Sequence, residues 1–330
     1  MTCRPGPLNA ITDVAGLLVG QATDERAATG VTALICPELW TAAIDIRGGG
    51  PGGRESAVME PENLVPGVNA VVLTGGSVFG LAAADGVTTA LAAAGRGLRL
   101  SPTGMAIPIV PAAVLHDLAG GGDKDWGLEP PYRRLGMAAV AAASADVAQG
   151  SVGAGRGAMA GTLKGGIGTA SLDLGDGLMV GAIVAVNSVG SPYMPDGETF
   201  WAWPFEIERE FGGHRPRDVA PAIDPMPELT KLAGRLAPGA NTMIGAVATT
   251  ARLDRGGAKR LAIMAQDGFA RAVRPAHTPF DGDTMFALAG GAVELGDSPA
   301  VTLARLGSAA ADCVARAVAR GVFAARSAGG

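Results

Sequence analysis

The chain has 330 residues, 48% of them apolar and 17% charged, which excludes a disordered protein and is long enough for one large core or two smaller ones. The net charge of −5 leaves no basic footprint for nucleic acid, and no unbroken apolar run of about 18 residues argues for a membrane-spanning helix. The opening residues, Met1 to Pro7, lack the apolar segment of a secretory signal, and Cys3, Cys36 and Cys313 suit neither a disulfide framework nor a zinc site, so a cytoplasmic protein is expected.

In chain order, Val31–Cys36 and Thr41–Ile46 read as two strands of a hairpin joined by a short turn containing Pro37. Asn69–Thr74 is a buried strand. It runs through Gly75-Gly76-Ser77 into a small-residue helix over about 79–94, and a second helix is expected over about 132–143. The strongest strand signal, Leu178–Val186, stops at Asn187. Residues 192–238 are rich in Pro and charge and read as a long excursion. A strand over 242–250, a helix over about 258–273, a strand over 284–288 and a helix over 298–325 complete the chain. Strands flanked by helices in this way predict a layered α/β or α+β domain over residues 1–330.

The candidate chemistry centres on Asn241-Thr242. A Pro- and Gly-containing stretch, Leu236–Ala240, leads directly into the strand that Thr242 opens. Cut there, the chain would begin with a threonine that carries a nucleophile and a base on one residue, its hydroxyl and its α-amine. The other reading is a plain junction of loop and strand. Asp281-Gly282-Asp283, just before a strand, reads either as a turn or as a pair of carboxylates that hold an amine. Lys164 among glycines is either a solvated loop lysine or a positive charge for a reacting oxygen, and Asn187 is either a turn residue or an oxyanion donor.

Several motifs are absent. Gly75–Gly80 has Phe79 where a G-x-S-x-G elbow needs glycine, and its turn offers anion binding or close packing. In Gly161–Gly166, Lys164 is followed by glycine and so makes no phosphate loop. His116, His214 and His277 are scattered and form no metal motif.

With these residues in place, the chain resembles the self-processing family of L-aminopeptidase/D-Ala-esterase/amidases, β-peptidyl aminopeptidases and nylon-oligomer hydrolases. The markers are Arg47–Glu55 (RGGGPGGRE), Leu73–Leu81 (LTGGSVFGL), Asn241-Thr242 and Asp281–Ala287 (DGDTMFA). The resemblance implies an αββα four-layer sandwich similar to N-terminal nucleophile hydrolases. It also implies autocleavage into residues 1–241 and 242–330, and a homo-oligomer, a tetramer of such pairs. No metal or cofactor is implied. Thr242, Lys164, Asn187, Asp281 and Asp283 together look most like the nylon-oligomer hydrolase branch. One departure concerns the glutamate that holds a substrate's free amine in aminopeptidase members: Ala112 stands in its place. Ala112 and His116 are expected to line the substrate pocket, and His116 and Asp117 are the residues that follow and could compensate for the carboxylate. The resulting expectation is a hydrolase of short peptides or linear amide oligomers. The alternatives are an aminopeptidase with an altered amine site, an acyltransferase like the ornithine acetyltransferases, and an inactive scaffold.

Overall fold

The computed structural model describes residues 3–217, 226, 229–231 and 241–327, so the expected cleavage loop Leu236–Ala240 lies outside the described residues. The regular elements in chain order are β1 (Leu18–Asp24), β2 (Thr29–Ile46), β3 (Gly53–Arg54), β4 (Val68–Thr74), α1 (Ala82–Ala93), β5 (Ala112–Val114) and α2 (Tyr132–Ala141). They continue with β6 (Met159–Ala160), β7 (Leu163–Lys164), β8 (Gly166–Asp173), β9 (Met179–Asn187) and β10 (Thr242–Ala251). The last are α3 (Arg255–Ala265), α4 (Asp267–Ala272), β11 (Thr284–Val293) and α5 (Pro299–Ser327).

The expected hairpin over 31–46 is instead one strand, β2, shared by two sheets. Its first half pairs with β1 and β4, and its second half, Thr41–Ile46, pairs with β11. The pairing with β4 shifts register between Ile35 and Trp40. Pro37 falls in that shift, where a residue without an N–H costs the ladder no hydrogen bond, and the strand crosses to the other sheet there. One sheet therefore runs β1-β2-β4-β5-β3 and the other β8-β9-β10-β11-β2.

Three apolar clusters define four layers. Leu34, Val71 and Leu73 of one sheet meet Ile183, Ile244 and Phe286 of the other between the sheets. Val31, Val72 and Ala112 pack under α1 and α2 through Ala84, Val87 and Leu135. Val184, Val247 and Met285 pack under α3, α4 and α5 through Leu261, Phe269 and Val318. β10 is thus covered on both faces, which explains its unbroken apolar run in place of alternation. The expected helix over 258–273 is two helices, α3 and α4. Asp254 caps the first, accepting the Gly257 N–H at 2.6 Å.

One buried ion network ties α5 to the rest. Arg316, 1% exposed, donates from Nε to Glu210 Oε1 at 2.6 Å, and its other nitrogens reach the Ser171 carbonyl (2.9 Å) and Asn9 Oδ1 (2.9 Å). Glu210→Ala leaves this guanidinium buried without its countercharge. Breaking a buried pair in this way destabilises by about 3–5 kcal/mol, so the urea midpoint of unfolding should fall sharply. An unchanged midpoint would show that the network contributes nothing.

Candidate active site

The C-terminal end of β9 and the N-terminal ends of β10 and β11 meet at one edge of the second sheet. There Thr242, the first residue of β10, stands directly opposite Asn187, the last of β9. Thr242 and Asn187 are each 2% exposed, and Asn241 is buried with them. The Thr242 hydroxyl lies against the carbonyl oxygen of Asn241. That same oxygen accepts the Gly282 N–H at 2.9 Å. The scissile carbonyl expected from the sequence is thus already held by a main-chain donor, with the hydroxyl beside it.

Asp281 and Asp283 are fully buried, which the turn reading did not anticipate. Asp281 Oδ1 accepts the Val189 N–H (3.1 Å), while Oδ2 accepts the Thr278 N–H (2.9 Å) and hydroxyl (2.6 Å). Asp283 Oδ1 accepts the Met243 N–H at 2.7 Å, one residue beyond Thr242. Its Oδ2 meets the His277 N–H (3.2 Å) and ring Nδ1 (2.8 Å). Burial raises the Asp283 carboxyl above the usual range, opposed by the His277 hydrogen bond.

The glycine run 48–50 explains how this loop is held. Gly50 N–H donates to the Asp281 carbonyl at 2.9 Å, and a Cβ on Gly48 would sit 2.5 Å from that oxygen. Only main chain without side chains lets the two loops lie so close. Gly282 is confined in the same way. A Cβ there would meet the Gly50 carbonyl at 2.4 Å and the Thr242 hydroxyl at 2.9 Å. Gly282→Ala should displace the loop and remove the Gly282 N–H from the Asn241 carbonyl. A lost oxyanion donor costs about 10²–10³ in rate, so any self-cleavage, read as intact mass against time, should slow by that factor. Cutting at the unaltered rate would remove Gly282 from the site.

The Asn187 amide is oriented by the protein. Its Oδ1 accepts the Met159 N–H at 3.0 Å and its Nδ2 donates to the His116 carbonyl at 3.1 Å. Lys164 pairs with Met159 across the β6–β7 hairpin but turns its ammonium onto the Arg156 carbonyl at 2.7 Å. Burial, then the nearby Arg156 charge, lowers its pKa. Lys164 therefore meets the site through Met159 and Asn187. His116 contributes its carbonyl. Ala112 does not face the site: it pairs with Val72 in β5 and its methyl is buried under α1 and α2.

Nor does the Gly75–Gly80 turn offer an open anion site. The Asp117 carboxylate fills it, accepting the Gly76 N–H (2.7 Å) and the Thr29 hydroxyl (2.6 Å). Close packing is its role here. Among the described residues no group of three His, Cys, Asp or Glu is arranged to hold a metal ion, and no helix is long and apolar enough to cross a membrane.

Sequence reasoning missed two participants. One is the Gly282 N–H, because main-chain donors carry no residue-type signal. The other is Lys231, whose Nζ lies 3.3 Å from Asn187 Oδ1 in the stretch read as an excursion.

Residues 9–330 match peptidase family S58. The chain belongs to that family. Membership in S58 makes it a hydrolase of peptide or amide bonds. It is 43% identical over 333 residues to an uncharacterized aminopeptidase of Mycobacterium tuberculosis, covering 96% of this chain and 94% of that one. It is 29% identical over 304 residues to a 6-aminohexanoate-oligomer endohydrolase of an Agromyces species, covering 89% of this chain and 78% of that one. Identity is thus higher to the mycobacterial relative than to the branch singled out from the site residues.

Two solved structures share the S58 chain's fold. A β-aminopeptidase from a Burkholderia species superposes with a TM-score of 0.70 at 24% identity, covering 98% of this chain and 89% of that one. The L-aminopeptidase D-Ala-esterase/amidase of Ochrobactrum anthropi, described as a variant of the Ntn hydrolase fold, gives 0.69 at 22% identity, covering 98% and 88%. The αββα layering expected from the resemblance is the one observed.

Proposed function

We propose that this S58 member is a self-processing amidohydrolase that cuts itself between Asn241 and Thr242 and then uses Thr242 as an N-terminal nucleophile. One observation carries the reading: the Thr242 hydroxyl lies against the Asn241 carbonyl, whose oxygen is held by the Gly282 N–H at 2.9 Å. In the uncut chain the hydroxyl attacks the Asn241 carbonyl carbon, the C–N bond breaks as the Thr242 nitrogen gains a proton, and water then hydrolyses the resulting ester. The freed α-amine has an ordinary pKa of about 7.7–8.0, so a useful share is neutral near pH 7 and can serve as general base for the mature enzyme.

In this reading Asn187 donates to the oxyanion of the substrate. Asp283, already bonded to the Met243 N–H, and Asp281 hold the new α-amine. Lys164 adds positive charge through the Asn187 shell. With Ala112 turned into the core, nothing at that position offers a carboxylate to a substrate ammonium. The substrates favoured are therefore linear amides and blocked short peptides, in keeping with the 6-aminohexanoate-oligomer endohydrolase relative. A cytoplasmic homo-oligomer of cut pairs, a tetramer by resemblance, belongs to the same proposal.

The test is intact mass under denaturing conditions. Two chains, 1–241 and 242–330, are expected. One uncut chain after prolonged warm incubation would sink the reading. Assays of amide hydrolysis with and without an added acceptor amine separate hydrolysis from acyl transfer.

A further inference from the structure

Before cutting, the Thr242 nitrogen is an amide and cannot accept a proton, so the first attack needs a different base. We infer that the side-chain amine of Lys231 is that base, an inference that rests on the self-cleavage reading: it takes the Thr242 hydroxyl proton in the uncut chain and returns it to the departing Thr242 nitrogen.

The placement of Lys231 carries this. Its main chain is pinned, with the Lys231 N–H donating to the Val189 carbonyl (3.0 Å) and the Thr162 N–H to the Leu229 carbonyl (3.1 Å). Its Nζ lies 3.3 Å from Asn187 Oδ1 and 3.5 Å from the Asn187 carbonyl. Asn187 is the residue directly opposite Thr242, and opposed residues of an antiparallel pair have Cα atoms about 4.5–5.5 Å apart. From the other side, Asp281 is the carboxylate whose charge bears on Lys231, and the next residue, Gly282, packs against the Thr242 hydroxyl. Asn187 thus adjoins both the amine and Thr242, and the Asp281–Gly282 loop bears on the amine through Asp281 and on the hydroxyl through Gly282, so the proton path in this proposal runs through one water.

The other titratable groups facing this space are committed. The Asp281 oxygens hold Val189 and Thr278, and those of Asp283 hold Met243 and His277. The Lys164 ammonium holds the Arg156 carbonyl, and what His116 brings to Asn187 is its main-chain carbonyl, which is no base for this step. Burial pulls the Lys231 amine down to about 7, against the opposing pull of Asp281, so a large share is neutral at neutral pH.

The step balances. The proton moves from Oγ to Nζ as Oγ bonds to the Asn241 carbon, and the oxyanion rests on the Gly282 N–H. The C–N bond then breaks while the Lys231 ammonium protonates the Thr242 nitrogen, leaving an ester and a neutral lysine.

The experiment follows cutting of the full chain by intact mass from pH 5.5 to 8.5, for wild type, Lys231→Arg, Lys231→Met and Lys231→Ala. Wild-type cutting should rise with pH and level off above about 7. Lys231→Arg keeps donors for Asn187 but cannot become neutral, and should cut at least about 100-fold more slowly, as should Lys231→Met. Lys231→Ala should regain cutting with added ethylamine, in proportion to its neutral fraction. Wild-type rates in the Arg or Met variant, or a flat wild-type pH profile, overturn the inference. A wild-type chain that never cuts at any pH overturns the self-cleavage reading instead.

Discussion

Thr242→Ala is expected to yield an intact 330-residue chain without amide hydrolysis. The expectation follows from one atom serving both reactions. In the proposed mechanism the hydroxyl that lies against the Asn241 carbonyl attacks its own chain first and substrate after cutting. Alanine removes that oxygen and leaves a small residue that suits a buried strand position, so the fold should persist and a thermal midpoint near wild type is expected. Thr242→Ser retains the oxygen and should retain both activities. The decisive readings are intact mass and turnover of a linear amide. An uncut Thr242→Ala protein that still hydrolyses amides would remove Thr242 from the chemistry altogether.

The second large effect falls on Asn187. In the cut enzyme, Asn187→Ala should lower kcat by about 10²–10³ with a smaller change in KM, because an oxyanion donor acts mainly on the transition state. Asn187 also accepts the Met159 N–H and donates to the His116 carbonyl, so alanine alone confounds donation with positioning. Asn187→Asp separates the Nδ2 donor from the Met159 contact, though it gives up the bond to the His116 carbonyl as well. It keeps the shape and the acceptor for Met159 but replaces the donor with an oxygen. A comparable fall in kcat in both variants, with thermal midpoints near wild type, assigns the loss to the Nδ2 group and not to the Met159 contact. Wild-type kcat in Asn187→Asp would reduce Asn187 to a positioning role.

Much of this protein is legible without coordinates. The apolar run from Thr242, the run ending at Asn187 and the buried strand before Gly75 each mark an element, because burial on both faces writes itself into consecutive residues. The glycine-rich and acidic markers identify the S58 family together, since backbone contacts that admit no side chain constrain composition strongly. Tertiary structure decided the rest. β2 reads as a hairpin locally, and only its pairing with β4 on one side and β11 on the other makes Pro37 a crossing point between sheets. Asp281-Gly282-Asp283 has the composition of an exposed turn. The loop containing Gly48–Gly50 buries it, and main-chain donors from Val189, Thr278 and Met243 make that burial tolerable for two carboxylates. Ala112, expected at a substrate pocket, is packed under α1 and α2, while Lys231, from the stretch read as an excursion, stands beside Asn187. Local sequence records which residues are apolar and which can react. It does not record which main-chain donor meets the Asn241 carbonyl and which distant amine meets Asn187, because that depends on how strands far apart in the chain end side by side.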